Sequence, residues 1–356
     1  MLIALLAFTS LLASAEPVTI SRYALIIGAN RGSLQDVPLQ FADRDAERMA
    51  AALQQVGSFA SANVRLLEQP TPTAVRLALE SLHDQLLVDQ ARHNPSVLLL
   101  YFAGHADPSR MHLGRASMAW AELLQRSLGA TARILVVDAS RAETVAEARD
   151  TPLMQPGLQG LGLDHGRTTM TTPSADLTVL TAMSADYAAR ESAAAGSGIL
   201  TRHILAALAG AADANGDDHV TLSETILYGA ERTLRRVERS PLGDPRGVFR
   251  FHLGSAGELP LATLPSRQQQ PRLHLTSPGT YTVRSGSADG PVLLEAVVVG
   301  GERSLCLPVG TYFVEHSENG QRHGGAVTLA AASIIRLDGE IFPIAGRAIF
   351  AEAGGS

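Results

Sequence analysis

Val97-Leu98-Leu99-Leu100-Tyr101-Phe102 is an unbroken apolar run. A strand of that composition needs cover on both faces, which is the situation inside a parallel sheet. Similar short runs recur at Tyr23–Ile27, ending at Gly28, and at Val64–Leu67, Ile134–Val137 and Leu177–Leu180. Between them lie helical periodicities. Ala42, Ala46, Met49 and Leu53 share one face, with Gly57 suited to the helix end. Val75, Leu79, Leu82 and Leu86 form a second stripe. Thr71-Pro72 offers that helix a hydroxyl cap and a proline at its first position, and Pro95 closes it. Strands alternating with helices predict an α/β fold with a mostly parallel sheet sandwiched between helical layers.

In open α/β sheets ligands bind beyond the carboxyl ends of the strands. Two strand ends carry polar chemistry: Tyr101-Phe102-Ala103-Gly104-His105 and Val136-Val137-Asp138-Ala139-Ser140-Arg141. Neighbouring strands would bring His105 and Ser140 to one edge of the sheet. The bulk composition removes other classes. A net charge of −6 with scattered Lys and Arg argues against nucleic acid. Gly28-Ala29-Asn30-Arg31-Gly32 is not followed by a helix start, which argues against a dinucleotide cofactor. One cysteine, Cys306, allows no internal disulfide and is expected to be buried and inert. Trp120 and Leu123-Leu124 are expected in the core.

Arg22–Gly28, Asp43–Ala46, Tyr101–His105 and Val136–Ala139, in that order, resemble the caspase–metacaspase superfamily of cysteine proteases, especially its bacterial members. The likeness continues through Ser184–Ser192 and Gly196–Thr201 and so spans about residues 20–255. The resemblance implies a caspase-like three-layer sandwich. It implies that His105 is the general base and that Ser140 stands where the family has its nucleophilic cysteine. It places Asp138 and Asp186 in a pocket that accepts a basic residue, with Glu191 nearby. Arg141 follows Ser140, and Ala142-Glu143 stand where Ser-Gly is common.

The serine changes the chemistry. A thiol has a pKa near ~8.5 that a neighbouring histidine lowers into the working range. A hydroxyl reacts only when a base takes its proton in the transition state, usually with a third group orienting that base. The sequence places no obvious Asp or Glu to orient His105. The expectation is therefore a catalytically inactive pseudoprotease with a peptide- or protein-binding or regulatory role. The alternative is an active endopeptidase using a Ser140/His105 dyad.

Asp213-Ala214-Asn215-Gly216-Asp217-Asp218-His219-Val220-Thr221-Leu222-Ser223-Glu224 has the form of an EF-hand loop. Asp213, Asn215 and Asp217 hold positions 1, 3 and 5, His219 holds position 7, and Glu224 holds position 12, all suited to Ca²⁺. Position 6 is Asp218 where glycine is usual, so Asp218 must accept a positive φ. Helices are expected at Ile199–Leu208 and Ser223–Leu234.

Met1–Ala15 is an apolar run ending in Ala13-Ser14-Ala15, which is expected to be a signal peptide of an exported chain. It is too short for a comfortable membrane span, so at most peripheral membrane association is expected. The expected organisation is a signal peptide at 1–15, a caspase-like domain at 16–257 and a linker at 258–271. An accessory β-sandwich at 272–356 follows, with strands at Arg272–Leu275, Thr280–Arg284, Val292–Val299, Arg303–Leu307, Thr311–Glu315 and Ala326–Leu329.

Overall fold

The protein is represented by a computed structural model describing residues 20–107, 109–141, 177–184, 197–238, 248–252, 259–266 and 270–338. The first strands fall where the apolar runs lie: β1 (Ser21–Gly28), β2 (Val64–Glu68), β3 (Ser96–Ala106), β6 (Ala132–Arg141) and β7 (Leu177–Ser184). They form a sheet in the order β2-β1-β3-β6-β7, every pair parallel. β9 (Val248–His252) closes the far edge antiparallel to β7. A short hairpin of β4 (Arg110–Leu113) and β5 (Ala116–Ala119) continues from the end of β3; the sequence reading did not anticipate it.

Residues alternate between the two faces of each strand, and the core divides accordingly. Leu25, Ile27, Leu98, Leu100, Phe102, Leu135 and Val137 bury against α2 (Pro72–Ala91) and α3 (Trp120–Arg126). Trp120 lies edge-on to Phe102, with ring centres 5.6 Å apart. Ile26, Leu99, Tyr101 and Val136 bury on the opposite face against α1 (Ala42–Gln55), α4 (Ile199–Ala206) and α5 (Leu222–Glu238). This is the expected three-layer sandwich. Thr71 caps α2, its hydroxyl oxygen accepting from the Ala74 N–H at 3.2 Å. No described helix is long and apolar enough to cross a membrane.

The C-terminal region is two small sheets, as expected of a β-sandwich. One has the order β14-β11-β17, from Arg303–Cys306, Arg272–Leu275 and Ile334–Leu337. The other has the order β13-β12-β15-β16, from Val292–Val298, Gly279–Ser285, Gly310–Glu318 and Gln321–Leu329. Cys306 is buried, and burial pushes its thiol pKa up, as suits an inert side chain. The unit is not strung on a passive linker. Residues 260–263 of the expected linker form β10, which pairs antiparallel with β8 (His219–Thr221). The apolar cluster beneath α1, α4 and α5 runs on without a break into Leu273, Leu275, Tyr281, Val283 and Leu305. Polar ties cross the same boundary. Arg48 donates to the Val292 carbonyl at 2.8 Å, the Tyr228 hydroxyl accepts from the Val297 N–H at 2.9 Å, and Arg202 faces Glu295 at 3.7 Å.

α4 ends in a wide π-type turn, Ala207–Ala211, inside which Gly210 takes φ 113°. A Cβ there would lie 2.4 Å from the Ser304 carbonyl oxygen of β14. The backbone conformation and the close approach both require glycine. Gly210→Ala is expected to destabilise the protein by about 2 kcal/mol or more in urea denaturation, since the φ strain alone costs roughly 1–2 kcal/mol.

Candidate active site

β3 and β6 run in register to their carboxyl ends, pairing Ala103 with Asp138, Gly104 with Ala139 and His105 with Ser140. Ser140 also pairs with Ser184 of β7. The two residues singled out from separate motifs are therefore neighbours across one strand spacing, about 4.8 Å. His105 is 3% exposed. The loop following β1 wraps its ring. A Cβ on Gly32 would fall 2.7 Å from His105 Cβ and 2.8 Å from its Cδ2. Val37 turns its carbonyl to His105 Nε2 at 2.8 Å. That loop is itself tied down, because the Asn30 side chain accepts from the Ala42 N–H and donates to Asp43.

A carbonyl can only accept, so Nε2 carries the hydrogen and the neutral ring keeps its lone pair on Nδ1. Nδ1 has no hydrogen-bond partner among the described residues. The nearest charged oxygen is Asp36 Oδ1 at 4.0 Å. An acid, Asp36 on the loop after β1, therefore stands near His105, but makes no hydrogen bond that would orient its ring. Asp36 Oδ2 accepts from the Ser33 N–H and lies 2.8 Å from His112 Nδ1. His112 Nε2 is 3.3 Å from Asp107 Oδ2. Asp107 Oδ1 in turn accepts from the Ser109 N–H and hydroxyl and the Arg110 N–H. Burial pushes His105 below the usual histidine range, opposed in part by Asp36 and the Val37 carbonyl. Burial also works to raise Asp36, but hydrogen bonds from His112 and Ser33 and the neighbouring His105 hold it below the ordinary carboxylate value. Sequence offered one faint sign of this group: His112 and Asp107 follow the His105 motif within seven residues, but only the unforeseen β4–β5 hairpin turns them back toward Asp36.

Two residues before Ser140 on β6, Asp138 is 1% exposed and accepts from both the backbone N–H and the hydroxyl of Thr201, at 2.8 and 2.6 Å. Tyr101 donates to, or accepts from, the same Thr201 hydroxyl. Asp45 of α1, missed in the sequence, is 0% exposed and accepts from the Gly198 N–H at 2.6 Å. Two carboxylates thus hold the first turn of α4. Asp186 and Glu191, the other two expected pocket residues, lie outside the described residues, as do residues 1–15.

In the loop 213–224 the acidic side chains bond to nearby backbone N–H groups. Asp213 accepts from the Gly216 and Asp218 N–H groups at 2.8 and 3.2 Å, and Asp217 accepts from the His219 N–H at 2.8 Å. Glu224 folds back to accept from Thr221 at 2.9 Å. Asn215 donates to Asp217 at 2.9 Å. Asp218 takes φ 62°, the conformation expected of position 6, and its carboxylate binds Arg272 at 2.6 Å. Among the described residues no three His, Cys, Asp or Glu side chains converge as a ready-made metal-ligating group.

Burial pushes the Asp45 carboxyl up to about 7, with Asp138 adding to the rise and the bonds from Ser197 and Gly198 opposing it. An acid whose folded value lies above its ordinary 3.8 takes up a proton on folding. Its penalty is absent below about pH 4, grows through pH 4–7 and is complete above 7. Asp45→Asn removes that titration. Its stability relative to wild type is expected to rise by about 2–3 kcal/mol between pH 5 and pH 8, measured by urea denaturation at both values.

The caspase domain family model matches residues 21–226, more than half of the chain. No curated protein matches it by sequence. Among solved structures, one described as pro-sf-caspase-1 shares 9% identity over 63% of this chain and 85% of that one, with a TM-score of 0.43. The Arg-specific cysteine proteinase gingipain R shares 11% identity over 87% of this chain and 67% of that one, with a TM-score of 0.37. With a parallel sheet carrying His105 and Ser140 at adjacent strand ends, and the matched family spanning that sheet, the chain belongs to the caspase family.

Proposed function

We propose that this chain is an exported peptide-binding member of its family in which thiol-dependent proteolysis has been lost. The observation that carries the reading is the residue in register with His105, which is Ser140 and not cysteine. No thiolate–imidazolium pair forms there, since a hydroxyl does not ionise near neutral pH. The role left to the cleft is recognition, of a peptide or protein ligand or of an active relative's substrate. Asp138, with Asp186 and Glu191, supplies acidic character for a basic side chain, and Asp45 adds to it. Asp138 and Asp45 serve the start of α4, so a basic side chain would have to compete with Gly198 and Thr201 for them.

The loop 213–224 is assigned to Ca²⁺, with Asp213, Asn215, Asp217, the His219 carbonyl and Glu224 as ligands. Its support is the donor set of hard oxygens and the backbone already curled around Asp213. The ion would brace α4 against α5 and, through Asp218 and Arg272, the C-terminal sheets.

Two measurements check these assignments. Peptides containing Arg or Lys are expected to bind at least tenfold more tightly than norleucine counterparts in equilibrium dialysis, a difference of about 1.4 kcal/mol. Equal affinities refute the acidic pocket. Calcium at a hundredfold excess over Kd is expected to stabilise the fold by about 2.7 kcal/mol, visible as a raised melting temperature. Glu224→Gln is expected to abolish that rise, and an unchanged melting temperature of the wild type at several millimolar Ca²⁺ refutes the metal site.

A further inference from the structure

The C-terminal sheets meet the helices that carry the buried acids along the free edge of β13. Among the described strands β13 ends its sheet, with β12 on one side of it. In an antiparallel ladder alternate residues turn their N–H and C=O away from the partner strand, and at an edge these groups must be satisfied elsewhere. Glu295 and Val297 are such residues, and side chains of α4 and α5 meet them. His203 Nδ1 lies 3.4 Å from the Glu295 carbonyl. Arg232 donates to the Val297 carbonyl at 3.3 Å, and the Tyr228 hydroxyl accepts from the Val297 N–H at 2.9 Å. At the start of the strand α1 does the same, with Arg48 Nη1 donating to the Val292 carbonyl at 2.8 Å.

That last bond has an electrostatic consequence. The same Nη1 stands 3.9 Å from Asp45 Oδ1, at i,i+3 on α1. Asp45 Oδ1 is buried and has no hydrogen-bond partner among the described residues. A guanidinium within reach of such an oxygen ordinarily closes on it, because a charge-assisted bond is stronger than one to a neutral carbonyl. Here the guanidinium is drawn to β13 instead and stops beyond hydrogen-bond distance. Burial and the like charge of Asp138 then hold the Asp45 carboxyl up at about 7, with Arg48 the weakest of the opposing influences.

We propose that Arg48 sets the charge of the Asp45–Asp138 pair, and that the Val292 carbonyl of the C-terminal sheets keeps Arg48 from closing on Asp45. Arg48 is thus a positioning residue governed by β13. With β13 seated, an ionised Asp45 presents a charge that no contact cancels. With β13 lifted, the i,i+3 spacing lets Arg48 close on Asp45 and take from within the place of a cationic ligand. The C-terminal sheets therefore license the acidic pair. For its use in recognition this rests on the acidic pocket proposed above; the coupling between β13 and Asp45 does not.

The test follows the Asp45 carboxyl itself, by carboxyl-carbon NMR of the full chain labelled at aspartate, with Asp45→Asn identifying the resonance. The charged and titratable groups facing Asp45 are Arg48 on its own helix, Asp138 from β6 and Tyr101 from β3, and the segment entering α4 supplies the neutral donors Ser197 and Gly198. Arg48→Met is expected to raise the titration midpoint by about 1 pH unit, and Arg48→Lys, which keeps the charge, to bring it back. A packing role alone would change stability and leave the midpoint in place. Replacing Leu293 by its α-hydroxy acid turns the Val292 carbonyl into an ester carbonyl, a weaker acceptor, and alters no side chain. That replacement is expected to lower the midpoint by about 1 pH unit, and to have no effect on it in the Arg48→Met background. An unmoved midpoint in folded Arg48→Met, or no return in Arg48→Lys, overturns the role of Arg48. A wild-type midpoint in the ester variant, or an equal shift in the absence of Arg48, overturns the role of β13. The ester variant keeps every side chain, so it decides the matter even where Arg48→Met does not fold. A coupled midpoint without basic-peptide binding refutes only the acidic pocket, and peptide binding with an immobile midpoint refutes only the coupling.

Discussion

The parallel pairing of β3 with β6, held in register from Val97–Ala132 to Ala106–Arg141, is the constraint from which the rest of the site follows. It sets two polar strand ends one spacing apart. It also sends alternate residues to one face, so Asp138, two residues before Ser140, falls on the same side of the sheet as the His105–Ser140 pair. A slip of one residue would exchange the two faces along the whole strand, burying polar ends in apolar layers. The unbroken apolar runs Val97–Phe102 and Ile134–Val137 oppose such a slip only weakly, being apolar on both sides. The anchors are the polar contacts at the ends: Asp138 on Thr201, Tyr101 on the same hydroxyl, and His105 on the Val37 carbonyl.

Those contacts divide the molecule's charge between two environments. Asp36 is ringed by donors and stays ionised, whereas Asp45 sits in apolar surroundings beside a second carboxylate and titrates near neutrality. The difference lies in what supplies hydrogen bonds. Asp36 receives them from an imidazole and a backbone N–H, and Asp45 must rely on the start of α4 and on Arg48, 3.9 Å away. The same residue type thus does two jobs, one electrostatic and one as a partly protonated brace.

Much of this was legible in the sequence because local pattern dictates it. Apolar runs located all five parallel strands, Thr71-Pro72 marked the start of α2, and the loop 213–224 announced even the positive φ of Asp218. The register of His105 with Ser140 could be inferred because both strands end in motif residues. What escaped were groups assembled by chain reversal. Asp36 and His112 are 76 residues apart, and only the bend of the loop after β1 and the β4–β5 hairpin make them neighbours. Asp45 lies on a helix whose buried stripe is otherwise apolar, where a carboxylate reads as one more polar residue at its edge. Pro260 and Pro265 suggest a break and so hide β10, yet a strand of four residues needs only β8 as a partner.

The shared core beneath α4 and α5 bears on the order in which the chain can mature. Synthesis proceeds from the amino end, so β1, β3 and β6 emerge long before the residues that cover their helical layer. β11 takes its two neighbours from β14 and from β17, the last described strand, so that small sheet is incomplete until residue 337 has left the ribosome. Until then Gly210 and the apolar side of α4 have no β14 to rest against. The catalytic-type half therefore spends most of its biosynthesis with an exposed greasy flank. Its final tightening is a late, long-range event that a chaperone has time to intercept.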